Sequence, residues 1–244
     1  MEMEQSKNLL SIGGAAKFLG VSINTLRIWD SSGKLKALRS SGGHRYYPKE
    51  QLERFVLDIE SIARVWAESP TAPELLPDYY CRTHDVFKAR LDTMSLILNQ
   101  DVTVKSMVSL ITAVTGEIGN NSFDHNFGNW PDVPGIFFDY NTDKRTIILA
   151  DRGVGIRATL LRVRPLLKDD IEALTVAFKE RVSGRAPEHR GNGLKFVHDV
   201  AMKYPVGVSL QSGTAVVEIA KNKGQFKVWL AERNIRGTLA KITY

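Results

Sequence analysis

Cysteine is almost missing from this sequence. Cys81 is the single one in 244 residues, which excludes an internal disulfide framework and a cysteine-rich zinc site and makes a reducing compartment the expected setting. No apolar run reaches the roughly 20 residues that a membrane helix needs. Met1–Leu10 opens with acidic residues rather than with a basic-then-apolar leader. A cytoplasmic protein without membrane contact is therefore expected. Internal repeats and low-complexity tracts are also lacking.

What is present fits a soluble globular protein: 43% hydrophobic and 25% charged residues, on a chain long enough for one sizeable core and a smaller second domain. The formal net charge is +6, but its placement is uneven. Between Leu10 and Lys49 stand Lys17, Arg27, Lys34, Lys36, Arg39, Arg45 and Lys49, opposed by Asp30 alone. Such a concentration marks a polyanion-binding surface, or else a solvated lysine-rich face.

Three zones follow: a helical unit over 1–68, a linker over 69–78 marked by Pro70, Pro73 and Pro77, and an α/β unit over 79–244. In the first zone, Ser11–Leu19 reads as a short helix, Gly20-Val21 as a tight turn, and Ser22 as the N-cap of a helix over Ile23–Ser31. This is a helix-turn-helix pattern, whose second helix can enter a DNA major groove and would expose Asn24, Thr25 and Arg27. In the third zone, Val86, Phe87, Leu91, Met94 and Leu98 have helical spacing, and a second helix is expected from Val102 towards Phe127. Strands are expected at Gly135–Tyr140, Thr146–Ala150, Val206–Gln211, Ala215–Ile219, Phe226–Leu230 and Thr238–Tyr244. Helices before antiparallel-looking strands point to an α+β layer fold.

The stretch Leu10–Phe55, with Gly42-Gly43-His44-Arg45-Tyr46-Tyr47 as its most specific feature, resembles the winged helix-turn-helix of MerR-type regulators and excisionases. The resemblance implies double-stranded DNA as a partner and makes Arg39, His44, Arg45 and Tyr46 phosphate contacts of the wing. Trp29 and one tyrosine are equally readable as core packing.

Three further patterns carry chemistry only in combination. Glu117 and Asn121 share one helix face at i, i+4, where a carboxylate could polarise a water and an amide oxygen could ligate Mg²⁺. A strand ending in Asp151 runs into Gly153 and Gly155, which permits close approach of a planar ligand. Gly191-Asn192-Gly193 opens a helical stretch whose N–H groups could cradle phosphates. In this order they resemble the N, G1 and G2 boxes of the GHKL superfamily of gyrase, chaperone, histidine-kinase and mismatch-repair ATPases.

That resemblance implies a two-layer α/β sandwich of Bergerat type with ATP and Mg²⁺ as cofactors. Glu117 would be the general base and Asn121 the metal ligand. Asp151 would read the adenine amino group, Gly155 would floor the base pocket, and Gly191, Asn192 and Gly193 would hold phosphates, with residues 157–190 as a lid. Thr238 would support the adenine site, with Gly213-Thr214 as a rival to Gly237-Thr238. Many relatives have Asp where this chain has Asn120. No P-loop is present, so Lys195 is not its lysine.

The expected function is a DNA-binding, Mg-dependent ATPase whose nucleotide state alters its engagement with DNA. The alternatives are a GHKL-type protein kinase, for which His84 is the nearest phosphoacceptor candidate, and a regulator that senses ATP without hydrolysing it. Family analogy adds a homodimer, and a protein partner of unknown kind stays open. The stripe Leu52, Phe55, Val56, Ile59, Ile62 and Ala63 serves either as that dimer's surface or as packing for its own domain.

Overall fold

The computed structural model describes residues 9–33, 35–56, 59–181, 193–221 and 224–244. Ser11 caps α1 (Ile12–Leu19) by accepting from the Gly14 N–H at 3.3 Å, and Gly20 ends it with a left-handed φ of 68°. Ser22 accepts from the Thr25 N–H at 3.0 Å and starts α2 (Ile23–Ser31). A three-stranded antiparallel sheet follows, ordered β1 (Leu9–Ser11), β3 (Arg45–Pro48), β2 (Leu38–Arg39). Trp29 and Tyr47 are both buried under α3 (Lys49–Val56), with Trp29 against Phe55 at 4.8 Å between ring centroids.

The remaining chain builds a seven-stranded antiparallel sheet in the order β4 (Tyr80–Cys81), β5 (Ile136–Asn141), β6 (Thr146–Asp151), β10 (Thr238–Thr243), β7 (Gly207–Ser212), β8 (Ala215–Ile219), β9 (Phe226–Leu230). Four helices lie on one face: α5 (His84–Leu98), α6 (Val108–Asn126), α8 (Asp170–Lys179) and α9 (Gly193–Lys203). Their apolar sides meet Ile136, Phe138, Ile147, Leu149, Ala240 and Ile242 in the main core. A short helix, α7 (Gly155–Leu160), follows β6 directly.

Four expectations change. The helix expected from Val102 begins only at Val108, after a 3₁₀ turn at Lys105–Met107. The Asp101 carboxylate accepts from the Thr103 N–H and hydroxyl at 2.8 and 2.7 Å, a local turn that competes with helix. A lid over 157–190 is corrected for its described part: α8 buries Ala173, Leu174 and Phe178, so it is core rather than cover. The rest of that segment, residues 182–190, lies outside the described residues.

The two-layer arrangement expected of 79–244 is extended by a helix from the first zone, because α4 (Ile59–Glu68) lies on the opposite sheet face. Strand alternation points Phe137, Ile148, Ala150 and Leu239 that way, and Ile59, Ile62, Ala63 and Trp66 cover them. Polar ties fix the contact: Lys241 Nζ donates to Glu60 at 2.9 Å, and Arg64 Nη1 to Gln211 Oε1 at 3.1 Å. The stripe read as a dimer surface or as packing for its own domain is thus divided between two covers. Leu52 serves the N-terminal core, while Ile59, Ile62 and Ala63 serve the sheet. The stretch 69–78 is laid along both units, with Leu75 bridging Val21 and Pro70 accepting a bond from Arg152.

Candidate functional site

Asp151 ends β6 with its side chain on the helix-covered face, and it is fully buried. Its Oδ2 accepts from Thr238 Oγ1 at 2.5 Å and Ser122 Oγ at 2.8 Å, and its Oδ1 accepts from the Gly153 N–H at 2.8 Å. Burial raises the pKa of this carboxyl, while the hydrogen bonds from the Thr238 hydroxyl and N–H, the Gly153 N–H and the Ser122 hydroxyl act in the opposite direction. Thr238 reaches Asp151, whereas Thr214 bonds Asp170 through its N–H at 2.8 Å and hydroxyl at 2.7 Å.

The turn after Asp151 is shaped by close approach. A Cβ on Gly153 would lie 2.1 Å from Asn126 Nδ2, and Asn126 Oδ1 accepts from the Val154 N–H at 2.8 Å. Gly237 has φ 73°, and a Cβ there would meet the Asp151 carbonyl at 2.3 Å. Gly155, at φ 79°, stands over Ser212, whose Oγ accepts from the Ile156 N–H at 3.0 Å and donates to the Gly237 carbonyl at 3.1 Å. Ser122, Asn126 and Ser212 were not anticipated. The only sequence signal was small polar residues at i, i+4 on the inward face of α6.

Glu117 and Asn121 lie on α6, partly exposed, and meet the start of α9: a Cβ on Gly193 would be 2.6 Å from Glu117 Oε2 and 3.1 Å from Asn121 Nδ2. Gly191 and Asn192, named with them, lie outside the described residues. Asn120 turns elsewhere, its Oδ1 2.9 Å from His84 Nε2. A cavity of about 400 Å³ opens beside the turn, walled by Gly153, Gly155, Arg157, Asp170, Ser212 and Gly237 among others. Among the described residues, Glu117, Asn121 and Asp151 are not among its walls, while Gly153 and Gly155 are. No cluster of three His, Cys, Asp or Glu side chains suited to a metal occurs among the described residues.

Arg152 follows Asp151 and points to the opposite face. Its guanidinium is fully buried and bonds Asp132 Oδ2 at 2.6 and 2.9 Å as well as the Trp66 and Pro70 carbonyls. It also lies over the Trp66 ring, 5.9 Å from the centroid.

On the N-terminal unit Asn24, Arg27, Arg39 and His44 are exposed, and Arg45 and Tyr46 are half-buried. Thr25 is corrected: it is 3% exposed, with its hydroxyl 2.8 Å from the Ser22 cap, and it cannot reach a groove. Arg39 and Arg45 are direct partners across the β2–β3 wing, whose turn closes through Ser40 N–H to the His44 carbonyl at 3.0 Å. Sequence reading gave Asp30 no role. It bonds Arg39 at 2.7 Å, Arg45 at 2.6 Å and the Ala37 N–H at 3.0 Å.

A helix-turn-helix with a basic wing, joined to a mixed α/β unit with an antiparallel sheet, defines a protein with a DNA-binding part. Residues 11–47 match the family model described as MerR family regulatory protein, and they form a helix-turn-helix domain of that type. A stretch of 50 residues is 46% identical to the Type II methyltransferase M.Eco47II of Escherichia coli, covering 20% of this chain and 12% of that enzyme. The likeness thus spans a small part of that relative's length. No helix among the described residues is long and apolar enough to cross a membrane.

Proposed function

We propose that the chain is a DNA-binding regulator whose α/β unit is a GHKL-type, Bergerat-fold nucleotide domain, acting in the cytoplasm with ATP and Mg²⁺. The observation that carries this reading is the buried Asp151 beside its glycine turn. An ionised carboxylate has about four acceptor positions. Ser122, the Thr238 hydroxyl and the Gly153 N–H hold it, the Thr238 N–H also acts on the carboxyl, and an exocyclic amine would meet it on Oδ1 beside the glycine turn. Glu117, Asn121 and Gly193 converge at the neighbouring end of α6, where phosphates would lie. Asn121 offers Mg²⁺ one oxygen ligand, and phosphates and water would supply the rest, the usual situation for this hard cation. Glu117 would orient the attacking water.

Coupling between nucleotide and DNA is supported by adjacency along β6: Asp151 faces the nucleotide side, and Arg152 grips the end of the helix that follows the DNA-binding unit. A homodimer would use a surface other than the stripe on α4, which is buried. Sensing without hydrolysis has its own support in Asn120, whose amide is engaged by His84 instead of lying with Glu117 and Asn121.

Radiolabelled ATP turnover, with and without duplex DNA, tests the reading. Glu117→Ala should lower turnover by about 10²-fold or more while Mg-ATP binding persists. Binding without turnover in the wild type selects the sensor. Absence of Mg-ATP binding by the wild type overturns the nucleotide reading.

A further inference from the structure

Asp30 is the one acidic residue in the basic stretch from Leu10 to Lys49. An acid beside a polyanion site repels the ligand, so its presence asks for a physical reason. Its side chain, 8% exposed, sits at the end of α2, under the wing. One oxygen accepts from the Ala37 N–H, which anchors the carboxylate to the strand leading into β2. The other accepts from Arg39 Nη2 and Arg45 Nε at once. Those bonds use one donor of each guanidinium, and the other donors have no protein partner among the described residues. Arg39 stays 51% exposed and Arg45 23% exposed.

We infer that Asp30 is a positioning residue for DNA: it clamps both wing arginines in one orientation, so that their remaining N–H donors meet the phosphate backbone ready-ordered. A flexible arginine loses side-chain freedom when it binds. A shared carboxylate imposes that order before DNA arrives, and it holds two like charges side by side that would otherwise repel. The inference rests on the DNA-binding reading of the N-terminal unit, and it deepens that reading by assigning a function to the one acid of the basic stretch.

The sign of one substitution separates clamp from charge. Asp30→Asn removes a negative charge next to the phosphates, so electrostatics alone predicts tighter binding. Loss of the clamp predicts weaker binding. The probe is a mixed-sequence duplex of about 30 base pairs at several salt concentrations, because phosphate contacts are sequence-independent.

The expected result for Asp30→Asn is a fall in affinity of about three- to tenfold, with the slope of log K against log salt shallower by about 1 for each phosphate that the arginines no longer neutralise. A cycle with the Arg39→Ala, Arg45→Ala double variant guards against a purely structural effect. In that background Asp30→Asn should change affinity by less than about twofold, whereas a fold defect would carry over unchanged. Equal or tighter binding by Asp30→Asn, or the same loss in both backgrounds, overturns the clamp while leaving DNA binding standing. A wild type that binds no duplex at low salt overturns the DNA reading and the clamp with it.

Discussion

Asp139 lies on β5 beside Tyr79 and Asp78, and burial is the main reason its carboxyl is pushed up to about 6. The nearby Asp78 adds to the rise, against the Tyr140 N–H and Arg90. A folded-state pKa above the unfolded value means that the native chain binds more protons between about 4 and 6, so this residue's contribution to stability falls as pH rises through that window and stays lost above it. Asp139→Asn should remove the trend. The variant is expected to be more stable than the wild type at pH 7 by about 1–2 kcal/mol, after allowance for solvent screening, and to converge with it near pH 4. Urea unfolding at pH 4, 5, 6 and 7 measures the difference, and a pH-independent difference would sink the attribution. Asp30 and Asp132, whose carboxyls are held low by hydrogen bonds and arginines, drop out of that comparison because both proteins keep them.

The same scale shows what single residues disclose in a sequence. Ser22 is legible as a cap because the donor it satisfies lies three positions ahead, and Ser11, readable as the start of its helix, turns out to cap it in the same way. Asp151 is legible because it ends an apolar strand and glycines follow. Ser122 and Thr238, which hold it, lie 29 and 87 positions away. No local pattern records such a distance, and so Ser122 passed unnoticed. Thr25 failed for a related reason: it looks like a groove-facing hydroxyl until its position beside the cap buries it.

Among the elements, periodicity found α1, α2, α5 and all six longer strands of the large sheet to within about two residues, which is the usual end uncertainty, but it started α6 too early and gave no helix at α7 or α8. It could not say where α4 belongs. An amphipathic helix declares that one side is apolar, not what will cover it. The answer lies in the second faces of β5, β6 and β10, where Phe137, Ile148, Ala150 and Leu239 alternate with the residues of the main core.

Arg152 is the polar counterpart of this contact, joining β6 to Asp132, Trp66 and Pro70. Replacing it with methionine keeps apolar bulk but leaves two carbonyls without their donor and a carboxylate without its charge partner. Breaking such a buried pair costs about 3–5 kcal/mol, so Arg152→Met should unfold at clearly lower urea concentration. If the two variants Arg152→Met and Asp132→Asn together cost as much as their sum, the pair is not coupled in the way the geometry states.

At the scale of the whole molecule, α4 makes one folding unit of what would otherwise be two. Ile59, Ile62 and Trp66 are each about 1.5–3 kcal/mol of burial, a large share of the ~5–15 kcal/mol that a domain has in total. A fragment covering residues 79–244 would lose that cover and expose Phe137, Ile148 and Leu239 as an apolar patch. It should melt well below the full chain, bind a hydrophobic dye and self-associate, whereas the full chain should unfold in one calorimetric transition. Two independent transitions, the upper one matching the fragment, would show that the units fold separately. With one transition, duplex DNA bound to the N-terminal unit stabilises everything that unfolds with it. Saturating DNA should therefore raise the melting of the sheet, read from Trp130 near α6, by the same amount as that of Trp29 under α3. A shift confined to Trp29 would mean that α4 carries no mechanical link between DNA and the proposed nucleotide site.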